Sequence, residues 1–351
     1  MMKKLFILAV LLWAVCGVSA QEKPIVYILA TGGTIAGSGD SAVASAYVPG
    51  AVGINQMLSA VPEILEIADI RGEQFASIAS QNMTNGIWLT LAQRINQLLA
   101  QDEVAGVVIT HGTDTQEETA YFLNLTVRSE KPVVMAGSMR PGTALSPDGP
   151  RNIYNAVACA IAPESRGQGL MIVMDDRIIG ADDVTKTHTL DVSTFQDPNY
   201  GQLGIVYNGK PIFTRQSVKR HTVSSEFDVT GLTELPRVEI ILAYADATGL
   251  FVDAAIRAGA KGIVVAGVGN GNMPAVMQNA LEKARKEQDI AVVRSSRIMT
   301  GPTTQWGETD DEALNFAASW YINPYKARVL LALALTRTTD YREIQRMFTE
   351  Y

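Results

Sequence analysis

The sequence predicts an α/β protein of two domains. The larger, N-terminal one has a mostly parallel sheet flanked by helices and a β-hairpin. The smaller, C-terminal one has a parallel sheet of its own. Three observations predict this. Residues 25–174 alternate short apolar runs with stretches of helical period, the pattern of strands covered on both faces. Asn208-Gly209, between Ile205-Val206-Tyr207 and Pro211-Ile212-Phe213, marks a tight hairpin. Beyond a polar, aperiodic stretch at 215–236, the alternation resumes with strand candidates at 238–242, 262–266 and 290–293. The division that follows is a signal peptide at 1–20, an N-terminal domain at 21–214, a linker at 215–236 and a C-terminal domain at 237–351.

The first twenty residues stand apart from the fold. Lys3 and Lys4 precede an apolar run over 5–15, and Val18-Ser19-Ala20 supplies small residues for cleavage after Ala20. The run is short for a membrane span. Trp13-Ala14-Val15 ahead of Cys16 matches a lipoprotein signal poorly. The chain is therefore expected to be exported, to the periplasm. Loss of Lys3 and Lys4 leaves 27 basic against 36 acidic residues, a net charge of −9. With no basic patch, nucleic acid and anionic membrane are excluded as expected partners. One cysteine then remains, Cys159, inside the apolar pattern of 153–161. It cannot form an internal disulfide and reads as a small buried hydrophobe.

Along the first domain, the run 25–29 leads into the glycine-rich turn Ala30-Thr31-Gly32-Gly33-Thr34-Ile35-Ala36-Gly37. Ile87, Trp88, Leu91, Ile95 and Leu98 share one helical face. A strand at 104–109 leads into a second turn, Thr110-His111-Gly112-Thr113-Asp114-Thr115. A helix at 117–127, a strand at 132–136, a helix at 152–161 and a strand at 170–174 follow. Lys186 lies in the polar segment Asp182-Asp183-Val184-Thr185-Lys186-Thr187. In the second domain, Asn270-Gly271-Asn272 forms another glycine-rich turn.

Two of these turns carry chemistry. Each sets a threonine hydroxyl at the carboxyl end of a buried strand, where open α/β sheets bind ligands. Taken alone, either threonine also reads as a helix cap. The first turn is no dinucleotide loop, because Thr34 stands where the second glycine belongs, and no Gly-Lys-Ser/Thr is present. Gly267-Val268-Gly269-Asn270-Gly271-Asn272 comes nearer but ends in asparagine. Without His-x-x-x-His or Cys-x-x-Cys spacing, no metal is expected, nor any cofactor. A hydroxyl becomes a useful nucleophile only when a base takes its proton. Beyond the signal the histidines are His111, His188 and His221, few candidates for a histidine-based triad. A lysine or tyrosine base remains. By composition alone, Lys186 would be a solvated lysine.

At these residues the chain closely resembles the secreted, type II bacterial L-asparaginases of the asparaginase/glutaminase family. The likeness runs from about Ile25 to Tyr351 and rests on both threonine motifs. It also rests on Ser80-Gln81, Met139-Arg140-Pro141, Asp183-Val184-Thr185-Lys186, the 267–272 turn, Val293-Arg294-Ser295-Ser296-Arg297 and Lys326-Ala327-Arg328-Val329-Leu330-Leu331. The resemblance implies hydrolysis of L-asparagine to L-aspartate and ammonia, with weaker action on L-glutamine. It implies Thr34 as nucleophile, on a loop that closes with Tyr47, and Thr113, Asp114 and Lys186 as a second, proton-handling triad. Ser80, Gln81 and Asp114 would hold the substrate's α-carboxylate and α-amino group. Asn272 and Glu308 would come from a neighbouring subunit of a homotetramer built from two intimate dimers. Backbone N–H groups of the Gly32-Gly33-Thr34 turn are the expected oxyanion donors. The loop from Ala36 to Tyr47, small and polar over 37–42, is the expected lid.

Departures from the family pattern are Asn82, where many relatives carry aspartate, and Trp306, close to Glu308. Two other functions compete. A broad-specificity glutaminase-asparaginase shares the machinery, although Ser80-Gln81 resembles the asparagine-preferring branch. A periplasmic amino-acid-binding protein would also be exported, acidic and two-domained, but needs no paired hydroxyls with a lysine.

Overall fold

The computed structural model describes residues 22–39, 41, 48, 50–51 and 53–351. The expected signal peptide, Tyr47 and most of the expected lid lie outside these residues.

Eight strands form the first sheet: β1 (Ile25–Gly32), β2 (Asp69–Ile78), β3 (Val104–Thr110), β4 (Val133–Ala136), β5 (Leu170–Met174), β6 (Arg177–Gly180), β9 (Gly204–Tyr207) and β10 (Lys210–Phe213). Between β6 and β9, β7 (Thr185–Lys186) and β8 (Phe195–Gln196) pair with each other. The order in the sheet is β10-β9-β6-β5-β4-β3-β1-β2. Strands β2, β1, β3, β4 and β5 are parallel, and β6, β9 and β10 add on antiparallel. Within the parallel part the chain runs outward in opposite directions from β1 and β3. That is the switch point at which such sheets open a crevice for ligand.

Alternation along the strands builds two cores. On β3, Val107 and Ile109 face the helices Asn85–Leu99 and Gln116–Thr126, while Val108 faces the helix Gly149–Ile161. All three are fully buried. Each such side chain contributes roughly 1.5–3 kcal/mol through burial. Thr84 caps the helix Asn85–Leu99 by accepting from Ile87 N. Its buried face contains Trp88, Leu91, Ile95 and Leu98 as expected, but Ile87 lies at the margin.

The second sheet, β11 (Val238–Leu242), β12 (Gly262–Gly267), β13 (Ala291–Ser296) and β14 (Ala317–Ala318), is wholly parallel in that order. The helix Pro324–Ala334 packs against this sheet and against the helix Gln116–Thr126, so one apolar core spans both sheets. The 215–236 stretch joins that core through Phe227 and Val229. Cys159 is fully buried, and burial pushes its thiol up to about 12, which keeps it protonated.

Strand β2 was not expected from sequence. Its Asp69-Ile70-Arg71-Gly72-Glu73-Gln74 is mostly polar and partly exposed, and only pairing with β1 makes it a strand. The placement matters, because β2 delivers Ser80-Gln81 to the same sheet end as the threonine turns.

Candidate active site

Three segments meet beyond the carboxyl ends of β2, β1 and β3. The register of β1 on β2 shifts between Ala30 and Gly32, and the chain then turns through Gly32 and Gly33 with φ of +112° and +81°. Such angles suit glycine alone. A Cβ on Gly33 would lie 2.3 Å from the Gly112 Cα, and one on Gly112 would lie 2.7 Å from the Ser80 Oγ. The turns therefore touch backbone to backbone, which places Thr34 and Thr113 each one residue from the contact. Neither threonine is a cap: Gly33 caps the short turn Thr34–Ala36, and Thr115 precedes the helix Gln116–Thr126. Thr34, Thr113 and Ser80 are 6%, 5% and 4% exposed, buried yet at a chain turn.

Lys186 reaches this junction from β7. Its Nζ donates to Thr113 Oγ1 at 2.9 Å and to Asp114 Oδ1 at 2.6 Å. It is thus not the solvated lysine that composition alone suggests: its side chain is 19% exposed. The Asp114 N–H donates to Ser80 Oγ at 3.2 Å, and Thr115 Oγ1 donates to the Ser80 carbonyl at 2.7 Å. Ser80, Thr113, Asp114 and Lys186 therefore form one bonded cluster. Gln81 follows Ser80 in an exposed position.

His111 is not a base for this cluster. Its ring is fully buried, and desolvation lowers its pKa to about 4 despite the bond to Gly112. Its Nδ1 lies 2.7 Å from the Gly112 carbonyl and its Nε2 lies 3.0 Å from Thr119 Oγ1, which in turn accepts from Trp88 Nε1 at 2.8 Å. These partners assign the ring proton to Nδ1. The imidazole braces the Gly112 turn.

One expectation narrows. The Gly33 N–H donates to the Ile78 carbonyl at 3.0 Å, so pairing with the end of β2 removes it from the expected oxyanion donors. That bond depends on the strand that the sequence did not reveal.

Asn272 and Glu308 are bonded to each other, Nδ2 to Oε2 at 2.5 Å, in the second domain. Among the described residues no hydrogen bond joins either to the Thr113 cluster. A cleft of about 520 Å³ between the domains is lined by Asp114, Glu117, Lys186 and Met299, whereas Glu308 lines a separate depression with Trp306 and Arg342. Trp306 is 83% exposed, with φ of +61°. Arg294 holds this region in place: fully buried, it binds both carboxylate oxygens of Asp311 and donates to the Asn270 and Thr304 carbonyls. The motif around Arg294 is visible in the sequence, but its anchoring role is not.

Comparison with known proteins agrees with this architecture. Residues 25–219 match the family model described as asparaginase, N-terminal, and residues 237–348 match the glutaminase/asparaginase C-terminal domain. The chain belongs to the asparaginase family. It is 51% identical over 333 residues to L-asparaginase 2 of Escherichia coli, covering 95% of each chain. It is equally similar, over the same shares, to the probable periplasmic L-asparaginase of Haemophilus influenzae. A crystal structure of a probable cytoplasmic L-asparaginase from Campylobacter jejuni superposes with a TM-score of 0.91 at 46% identity, covering 94% of this chain and all of the other. Within the asparaginase family fold, Glu117, Asn323 and Lys326 also converge on the 182–186 segment that carries Lys186. Sequence reasoning gave them no role, and the one signal was a lysine in the first turn of a mostly apolar helix.

Proposed function

We propose that this chain hydrolyses L-asparagine to L-aspartate and ammonia, with lesser action on L-glutamine, by a threonine nucleophile. The observation that carries the reading is the Lys186 ammonium bonded to both Thr113 and Asp114 on a turn that touches the Thr34 turn. Likeness to an L-asparaginase along nearly the whole chain supports the substrate, and the description of the C-terminal family model supports the glutaminase component.

An amide is a poor electrophile, so attack requires an activated hydroxyl and an exact substrate pose. Thr34 Oγ1 forms a bond to the side-chain amide carbon, and the C–N bond breaks as ammonia leaves with the proton. Water then opens the Thr34 ester, releasing aspartate and restoring the hydroxyl. Thr113 and Lys186 pass protons during both halves. Ser80, Gln81 and Asp114 bind the substrate's α-carboxylate and ammonium, and Tyr47 closes over the site with its loop. Asn272 and Glu308 act from a second copy within a homotetramer, which fits their distance in bonding from the Thr113 cluster. Export to the periplasm follows from the leader at residues 1–20, and a relative described as periplasmic supports it.

Ammonia release from asparagine by the purified protein tests the reading. Thr34→Ala and Thr113→Val should each lower turnover roughly a thousandfold while the circular dichroism spectrum stays unchanged, since each removes a nucleophile or a proton relay. Stoichiometric binding without release would point instead to a binding protein.

A further inference from the structure

Lys186 sits on a two-residue strand, too short to hold itself in place. Three bonds to its segment come from elsewhere, and a fourth joins two of the residues that make them. The Lys186 N–H donates to Glu117 Oε2 at 2.7 Å. Asn323 Nδ2 donates to the other Glu117 oxygen and to Thr185 Oγ1, both at 3.3 Å. Lys326 Nζ donates to the Asp182 carbonyl at 3.2 Å. Asn323 also caps the helix Pro324–Ala334 by accepting from Lys326 N at 3.0 Å. That helix packs on the second sheet and on the helix that begins at Gln116. The first domain's Lys186 is therefore held by a helix start from the second domain, through Glu117.

Glu117 and Lys326 are 5% and 2% exposed. Burial raises the Glu117 carboxyl pKa, and the Lys326 charge opposes that rise more than any other group does. Burial likewise lowers the Lys326 ammonium pKa, with Glu117 its foremost opposing charge. Among the described residues the two make no direct contact: Asn323 links them, donating to Glu117 and accepting from Lys326 N, and each lies in the other's field. Neither touches the proposed nucleophile, and burying two opposite charges is no safe source of stability in itself.

We propose that Glu117, Asn323 and Lys326 are positioning residues for Lys186: the start of the helix Pro324–Ala334 fixes the lysine's backbone through the Glu117 carboxylate, with Lys326 as the counter-charge that keeps Glu117 in place. This rests on Lys186 handling protons in the reaction. Binding of substrate is assigned to other side chains, so the strap acts on turnover. A displacement of about 1 Å at a proton-handling group costs on the order of a hundredfold in rate.

The test is a charge-removal cycle on full-length, correctly assembled protein, with kcat and KM for L-asparagine measured per folded chain. Lys326→Met strands the Glu117 charge and should lower kcat roughly 10–100-fold with KM within about twofold. Glu117→Gln/Lys326→Met removes both charges but keeps an oxygen for the Lys186 N–H, and should recover kcat to within about fivefold of the parent. Glu117→Leu removes the acceptor and should be as slow as Lys326→Met. If Lys326→Met fails to fold, Glu117→Leu against the double variant makes the same comparison. Unchanged kcat in Lys326→Met or in Glu117→Leu overturns the strap, as does a double variant no faster than the slow single ones. Lys186→Met run in parallel separates the two claims. If it keeps parental turnover, the role of Lys186 fails. If it is inactive while Glu117→Leu and Lys326→Met turn over normally, only the strap fails.

Discussion

His111 shows how one buried side chain ties site geometry to stability. A histidine inside a threonine motif invites a catalytic reading, yet its ring spends both nitrogens on bracing Gly112. Its folded pKa of about 4 lies below the ordinary 6.5, so the folded state holds the neutral form. The sign follows from linkage. Above 6.5 neither folded nor unfolded His111 is charged, and its contribution to stability is complete. As pH falls from 6.5 through 4, the unfolded chain takes up a proton that the folded chain refuses, and stability is lost. The full difference corresponds to about 3 kcal/mol. Urea midpoints measured from pH 7 to pH 4 should therefore fall more steeply for the parent than for His111→Gln, in which this proton is absent. Parallel slopes would mean that the ring is not held neutral.

At the scale of elements, the site depends on how closely two turns approach. Gly112 has an ordinary φ of −72°, so alanine there strains nothing in the backbone. The new methyl would instead meet Ser80 Oγ at 2.7 Å and Gly33 Cα at 3.1 Å. Gly112→Ala should thus lower turnover about a hundredfold by parting the Thr34 turn from Thr113 and Ser80. Its cost in stability should stay near the 1–3 kcal/mol typical of an overfilled core. A variant with full turnover would show that the contact does not set the geometry. The sequence made much of this legible. Buried parallel strands are nearly continuous apolar runs, so β3 and β5 stand out, and Asn208-Gly209 announces its hairpin. What stayed hidden depends on partners distant in the chain. Strand β2 exists by pairing with β1, and it both supplies Ser80 and takes the Gly33 N–H from the oxyanion. Lys186 looks solvated until Thr113 and Asp114 are brought beneath it. Glu117 and Asn323 carry no local signature, because their meaning lies in a contact 206 residues apart in sequence.

At the scale of the whole molecule, the separation of Asn272 and Glu308 from the Thr113 cluster leads to a decisive experiment. Beside the same domain, Leu242, Tyr244 and Phe251 are half-exposed along the free edge of β11, an apolar surface suited to cover by another copy. In a twofold pair, each site would take Thr34 from one chain and Glu308 from its partner. Thr34→Ala and Glu308→Ala chains should each be nearly inactive alone. When they are mixed and allowed to exchange, every hybrid pair contains one site with both defects and one with neither. Random pairing of equal amounts should then restore about a quarter of the parental activity, since half the pairs are hybrid and half of their sites are intact. Tagging the two variants differently and purifying through both tags enriches hybrids and should raise the recovery to about half. Proven hybrids without recovered activity would place Glu308 in its own chain's site, and the second copy would then have no part in the chemistry.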